Sequence, residues 1–213
     1  MANYCYHVLN RGNARAEVFH KADDYAAFVS LLPRACERVP MRVLAYCLMP
    51  NHFHLVLWPL GDGDLGRWMQ WLLTSHVRRY HRHYGGSGHV WQGRFKAFPI
   101  EADDHLLAVL RYVERNPLRA NLVGTAETWL WSSLSERLAG RESDVVSPGP
   151  VSLPRDWQRY VNQPQTDAEM AALRHCLKRG TPYGSETWIR STAQTLGLES
   201  TLRPRGRPQQ REK

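Results

Sequence analysis

The chain lacks the cysteine spacing of a fold stapled by metal or disulfides. Its four cysteines, Cys5, Cys36, Cys47 and Cys176, are scattered, and no two form a C-x-x-C pair. A structural zinc site built from cysteines is therefore not expected, nor is a disulfide scaffold, and a reducing compartment is the default. No apolar run approaches the ~20 residues that a helix needs to cross a bilayer. The opening M-A-N-Y-C-Y-H-V-L-N-R-G has no basic stretch followed by a long apolar one, so it does not read as a secretory leader. Acidic residues are in the minority: 20 Asp and Glu stand against 28 Lys and Arg, a net charge of +8. The excess is mostly arginine, whose planar guanidinium matches phosphate oxygens two at a time. The balance points to nucleic acid or another anionic surface; a generally basic soluble protein satisfies it as well. With 213 residues, 43% of them hydrophobic, the chain can bury the core of one domain plus an appendage, or of two small domains.

Hydrophobic periodicity sets out the elements. Tyr4 to Leu9 reads as a strand closed by Asn10-Arg11-Gly12-Asn13. Lys21 to Glu37 reads as a helix, with Tyr25, Phe28, Val29 and Leu32 recurring at three and four and Pro33 as a point of kinking. Strands follow at Arg42 to Leu48 and Phe53 to Trp58, joined tightly through Met49-Pro50-Asn51. Asp64 can cap a helix from Leu65 to His83, and a fourth strand is expected within His89 to Ile100. Asp103 or Asp104 opens a third helix running to about Pro117. The order strand-helix-strand-strand-helix-strand is the ferredoxin-like pattern: an α+β fold with an antiparallel sheet, helices on one face and the other face available. The last helix can lie beside the sheet or cover the open face. Beyond it, Gly140 to Leu153 reads as a loop. Two short helices, Thr166 to Lys178 and Ser185 to Leu196, form a small basic module, with Thr166 and Glu169 spaced as a capping box. The domain division expected is 1–135 as core, 136–165 as linker and 166–213 as helical basic extension and tail.

The residues that carry chemistry begin with His52-Phe53-His54, inside Met49-Pro50-Asn51-His52-Phe53-His54-Leu55-Val56-Leu57-Trp58. Residues two apart on a strand project from one face, so His52 and His54 form half of a divalent metal site or, alternatively, two packing histidines. On the third helix Tyr112 and Asn116 are four apart and share a face. A tyrosine hydroxyl can attack a phosphodiester and hold one end covalently, but a phenol ordinarily titrates near about pH 10 and needs help. A divalent ion on the two histidines can offset the developing charge, and Asn116 can supply an oxygen ligand one turn from the nucleophile. The sequence does not establish that this helix faces the histidine strand.

These residues stand in an ordered set: R-G-N at Arg11-Gly12-Asn13, L-M-P-N-H-F-H-L-V-L at Leu48 to Leu57, W-Q-G-R-F at Trp91 to Phe95, and Y-V-E-R-N-P from Tyr112 to Pro117. K-R-G-T-P-Y-G-S follows at Lys178 to Ser185. In this set the chain resembles the REP-associated tyrosine transposases, within the single-tyrosine HUH transposases of the IS200/IS605 type, over nearly its whole length.

The resemblance implies an HUH nuclease core with His52 and His54 as metal ligands and catalytic residues, Tyr112 as the catalytic tyrosine and Asn116 as third metal ligand. It implies Mg²⁺ or Mn²⁺ as cofactor, and single-stranded DNA carrying an imperfect palindromic hairpin as partner, cut through a 5′-phosphotyrosine. The location implied is the bacterial cytoplasm, at the nucleoid when acting. A monomer and a homodimer both occur in the family. A hairpin-binding protein that does not cleave is the alternative. DNA contacts are expected from Arg11, Asn13, Arg78, Arg79, Arg82, Arg94, Lys96, Lys178, Arg179, Arg203, Arg205 and Arg207. Trp91 and Phe95 are expected to stack on unpaired bases, and Arg78, Arg79 and Arg82 to hold phosphates beside the catalytic site.

Overall fold

The computed structural model describes residues 1–139 and 143–203. Four strands, β1 (Cys5–Arg11), β2 (Met41–Met49), β3 (His52–Pro59) and β4 (Lys96–Ile100), form one sheet in the order β2-β3-β1-β4. All neighbouring pairs are antiparallel. Helices α1 (Ala22–Val29) and α2 (Leu31–Arg38) connect β1 to β2, and α3 (Asp64–Tyr84) connects β3 to β4. This is the ferredoxin-like arrangement that the element order predicts.

Strand alternation sorts the side chains into two layers. Tyr6 and Val8 of β1, with Phe53, Leu55 and Leu57 of β3, face Phe28 and Leu32 of α1 and α2 and Trp68, Met69 and Leu72 of α3. Cys5 of β1, Cys47 and Met49 of β2, Val56 of β3 and Phe98 and Ile100 of β4 face the opposite way. That second face is covered by α4 (Asp104–Glu114), through Leu106, Val109, Leu110, Tyr112 and Val113. Of the two placements open to the third helix, the structure takes the one that covers the sheet.

Two helices differ from their expected bounds for a local reason. The first breaks at Ser30, and Pro33 falls in the first turn of α2, where its missing N–H costs nothing. The third ends at Glu114, and Asn116 opens a further turn, α5 (Asn116–Arg119), with Pro117 near its start. Asn116 still lies one turn beyond Tyr112, and its Nδ2 donates to the Tyr112 carbonyl at 3.4 Å.

The chain after α5 packs against the same face. Helices α6 (Ser133–Leu138), α7 (Trp157–Asn162) and α8 (Asp167–Arg179) contribute Leu134, Trp157, Val161, Met170 and Leu173 to the core under α4. α7 thus lies inside the segment expected as a linker. α8 opens with the Thr166–Glu169 capping box, each side chain bonded to the other's backbone N–H. Beyond α8, Tyr183 donates its N–H to Pro99 O at 2.9 Å and accepts from Glu101 N at 2.9 Å, which ties the K-R-G-T-P-Y-G-S segment to the edge of β4. Helices α9 (Glu186–Leu196) and α10 (Glu199–Leu202) complete the described chain.

Burial of His76 contributes to the acid sensitivity of the fold. His76 of α3 is enclosed by Phe19, Phe28 and Trp91, and burial pushes its imidazole down to about 4, with Arg79 lowering it further and Asp24 opposing. An imidazole in the unfolded chain titrates near about 6.5. Between those values the unfolded state binds more protons, so stability is unaffected above about pH 6.5 and falls as pH drops toward 4. His76→Phe, which keeps a ring in the cage, is expected to shrink that loss by roughly 1–3 kcal/mol. Urea unfolding at pH 7 and pH 4.5 measures it, and equal losses in both proteins would refute the assignment.

Candidate active site

The register across β1 and β3 places the histidine pair. His54 lies opposite Leu9, His52 opposite Arg11, and His7 opposite Val56, so His7, His52, His54 and Arg11 share the face covered by α4. The sequence left open whether the tyrosine helix meets this strand; in the structure it does. The Tyr112 ring stands edge-on to His54, with centroids 5.6 Å apart, and the His52 and His54 centroids are 5.1 Å apart.

Each histidine has its Nδ1 engaged on the protein side. His52 Nδ1 donates to Asn51 Oδ1 at 2.6 Å, and Asn51 is oriented by its own Nδ2, which donates to Arg15 O at 3.0 Å. His54 Nδ1 pairs with His7 Nε2 at 2.9 Å. The Nε2 atoms of both rings are left for the cleft that the two residues line. The imidazoles are neutral: burial pushes His52 down to about 4, with the Arg11 and Arg119 charges adding to it. Burial, followed by His7 and His52, holds His54 well below its ordinary range. Two neutral imidazoles whose Nε2 atoms border the cleft fit a divalent ion. The Asn116 oxygen accepts from Arg119 Nη2 at 2.5 Å, and a carbonyl oxygen keeps a second lone pair for a ligand.

The cleft has a volume of about 620 Å³. Among the described residues its walls carry Arg11, Arg94, Lys96, Arg119, Arg174 and Lys178, and no Asp or Glu. Six cations without a carboxylate make an anion site, since their mutual repulsion is relieved only by a bound negative charge. The Arg119 guanidinium also lies over the Tyr112 ring, 4.2 Å from its centroid.

Of the residues expected from sequence, Tyr112, His52, His54, Asn116, Arg11, Arg94, Lys96 and Lys178 converge on this cleft. Others do not. α3 packs on the opposite face of the sheet, so Arg78, Arg79 and Arg82 do not stand beside Tyr112 and the histidine pair. Arg79 instead donates to Asp23 O and pairs with Asp24 at 3.8 Å. Arg78 lines a second groove of about 690 Å³ with Phe95, and Arg94 belongs to both cavities. Trp91 is only 5% exposed; its ring packs edge-on against Phe53 in the core and has no free face for a base. Asn13 borders a separate hollow beside the Gly85-Gly86 turn. Arg179 donates to the Ser200, Thr201 and Arg203 carbonyls, which fixes α10. Arg205 and Arg207 lie outside the described residues.

Sequence reasoning missed His7, Arg119 and Arg174. Arg119 was accessible in principle: it lies seven residues after Tyr112, two helical turns on, and so returns to the same side. His7 carried no signal until strand register was known.

A family model described as "Transposase IS200 like" matches residues 1–116, and the chain belongs to that family. A Haemophilus influenzae protein named "Putative REP-associated tyrosine transposase" is 29% identical over 117 residues, which cover 50% of this chain and 66% of the relative, just under two thirds of its length. A solved REP-associated tyrosine transposase bound to a REP hairpin is similar in fold, with a TM-score of 0.51 at 16% identity over 77% of this chain and 93% of that one. Among the described residues, no helix is long and apolar enough to cross a membrane.

Proposed function

We propose that this transposase cuts and rejoins single-stranded DNA beside an imperfect hairpin by transesterification on Tyr112. The observation that carries the reading is one cleft in which the tyrosine, two neutral histidines and six cations meet without a carboxylate.

The Tyr112 oxygen attacks the scissile phosphorus and loses its proton to solvent. The P–O3′ bond breaks, the departing oxygen is protonated to a 3′-OH, and the 5′ phosphate stays on the tyrosine. Attack by a 3′-OH reverses these changes, so no other source of energy is needed. His52 and His54, with the Asn116 oxygen, would hold Mg²⁺ or Mn²⁺, which when bound supplies positive charge at a nonbridging phosphate oxygen. Arg11 and Arg119 flank the reacting phosphate and stabilise the charge that develops on it. The groove beside Arg94 offers a path for the strand, with Arg78 on its backbone and Phe95 under a base, a stacking contact of about 1–3 kcal/mol. The basic module over residues 166–203 brings Arg174 and Lys178 to the cleft from α8 and is assigned the hairpin stem. The hairpin bound by the solved relative supports this choice of substrate.

The test is a labelled single-stranded hairpin from the flanks of the gene, incubated with Mg²⁺ or with EDTA. An adduct that survives SDS, requires the metal and carries the label from the 3′ side of the cut is expected, with the fragment on the 5′ side released bearing a free 3′-OH. Cleavage with no adduct would turn the reading to hydrolysis by water, and tight binding without cleavage would turn it to a recognition protein. Arg119→Ala should slow single-turnover cleavage by roughly 10²–10³-fold, with partial recovery in Arg119→Lys; a change within about twofold would remove Arg119 from the mechanism.

A further inference from the structure

His7 is a histidine that the cleft does not explain. It lies on β1, buried to 1% exposure, between Phe98 at 5.0 Å and Tyr112 at 6.2 Å between ring centroids. Packing alone would favour an apolar residue there, because the His7 Nδ1 is buried without a hydrogen-bond partner. Among the described residues the ring's one polar contact is the 2.9 Å hydrogen bond between its Nε2 and Nδ1 of His54.

We propose that His7 is the positioning residue for His54, accepting the His54 Nδ1 proton so that the Nε2 lone pair of His54 is held toward the cleft. The inference rests on the reading of His52 and His54 as the metal pair. One proton lies between the two rings, and its placement has opposite consequences. If His7 Nε2 carries it, His54 is protonated on Nε2 and has no lone pair to offer a metal. If His54 Nδ1 carries it, His54 Nε2 is a ligand, and His7 bears its own proton on Nδ1. The neighbouring histidine already shows the second arrangement: Asn51 Oδ1 can only accept, so His52 must carry its proton on Nδ1. His7 therefore does for His54 what Asn51 does for His52, and the two ring planes are set from behind by two different acceptors. The His52 and His54 rings stand at 81° to each other.

The test is Mn²⁺ binding to the full chain without DNA, by calorimetry and by electron paramagnetic resonance. His7→Phe preserves ring volume beside Phe98 and Tyr112 but offers no acceptor, and should weaken Mn²⁺ roughly 10–100-fold. His7→Gln places a carbonyl oxygen near the position of Nε2 and should restore affinity to within about threefold of wild type. Binding of hairpin DNA in EDTA should be unchanged in both. Wild-type Mn²⁺ affinity in a folded His7→Phe protein would overturn the proposal, as would equal losses in the two variants. His52→Ala and His54→Ala separate it from the reading beneath it. If these bind Mn²⁺ like wild type, the metal pair and the role of His7 both fall; if they lose the metal while His7→Phe keeps it, only the role of His7 falls. Should the variants fail to fold, long-range ¹H–¹⁵N spectra of the wild-type chain with Zn²⁺ decide. His7 protonated on Nδ1 is the result expected, and His7 protonated on Nε2 is the opposite of the proposal.

Discussion

Tyr112→Phe is expected to bind hairpin DNA within about threefold of wild type and to cleave it at least about 10⁴-fold more slowly. The substitution removes one oxygen. It leaves the ring that packs against His54 and lies under Arg119, so the helix position and the guanidinium contact remain. Affinity for DNA comes mainly from cations on phosphates, and all six cations of the cleft are retained. On the proposed reading Tyr112 supplies the one hydroxyl of the cleft: among the described residues the other lining side chains are cations, amides, imidazoles, aliphatics and the Met49 thioether. Single-turnover cleavage and filter binding on the same DNA measure the two quantities. Residual cutting near the wild-type rate would place the nucleophile elsewhere.

Glu114→Ala should lower stability by roughly 3–5 kcal/mol. Glu114 is fully buried at the end of α4, two residues beyond Tyr112. Its carboxylate accepts from Ser133 Oγ at 2.5 Å, Arg137 Nε at 3.0 Å and Trp157 Nε1 at 2.6 Å. Removal leaves these three donors without their acceptor and the Arg137 charge without its partner, which is why the cost exceeds that of an ordinary cavity. For a chain of this length the melting temperature should fall by roughly 6–20 °C. Glu114→Gln keeps an acceptor and should lose less. The network clamps the tyrosine helix to α6 and α7, so the active site should loosen before the sheet does. An unchanged melting temperature in Glu114→Ala would show that the clamp contributes nothing.

The fold was legible because strand alternation and helical spacing are local signals. The four strands and the order of the core helices follow from them. The histidine pair and the tyrosine were legible as motifs. Which face of the sheet each helix covers was not, since it depends on how a connection crosses the sheet. For that reason α4 over the histidines could not be read from spacing, and the arginines of α3 were expected beside a site that lies on the other side of the sheet. Trp91 shows a second limit: an aromatic next to glycine and arginine looks like a stacking platform until the core that encloses it is known. Glu114 and His7 show a third. A buried polar residue is recognised by its partners, and those of Glu114 lie 19, 23 and 43 residues away, while the partner of His7 lies 47 away.

The proposed reaction requires DNA to become covalently attached to Tyr112. Mass spectrometry of peptides from the protein reacted with hairpin DNA and Mg²⁺, after nuclease trimming, tests it most directly. A nucleotide joined through a 5′ phosphate to the peptide containing Tyr112 is the expected result. Attachment to any other residue, or cleaved DNA with every peptide unmodified, would contradict it.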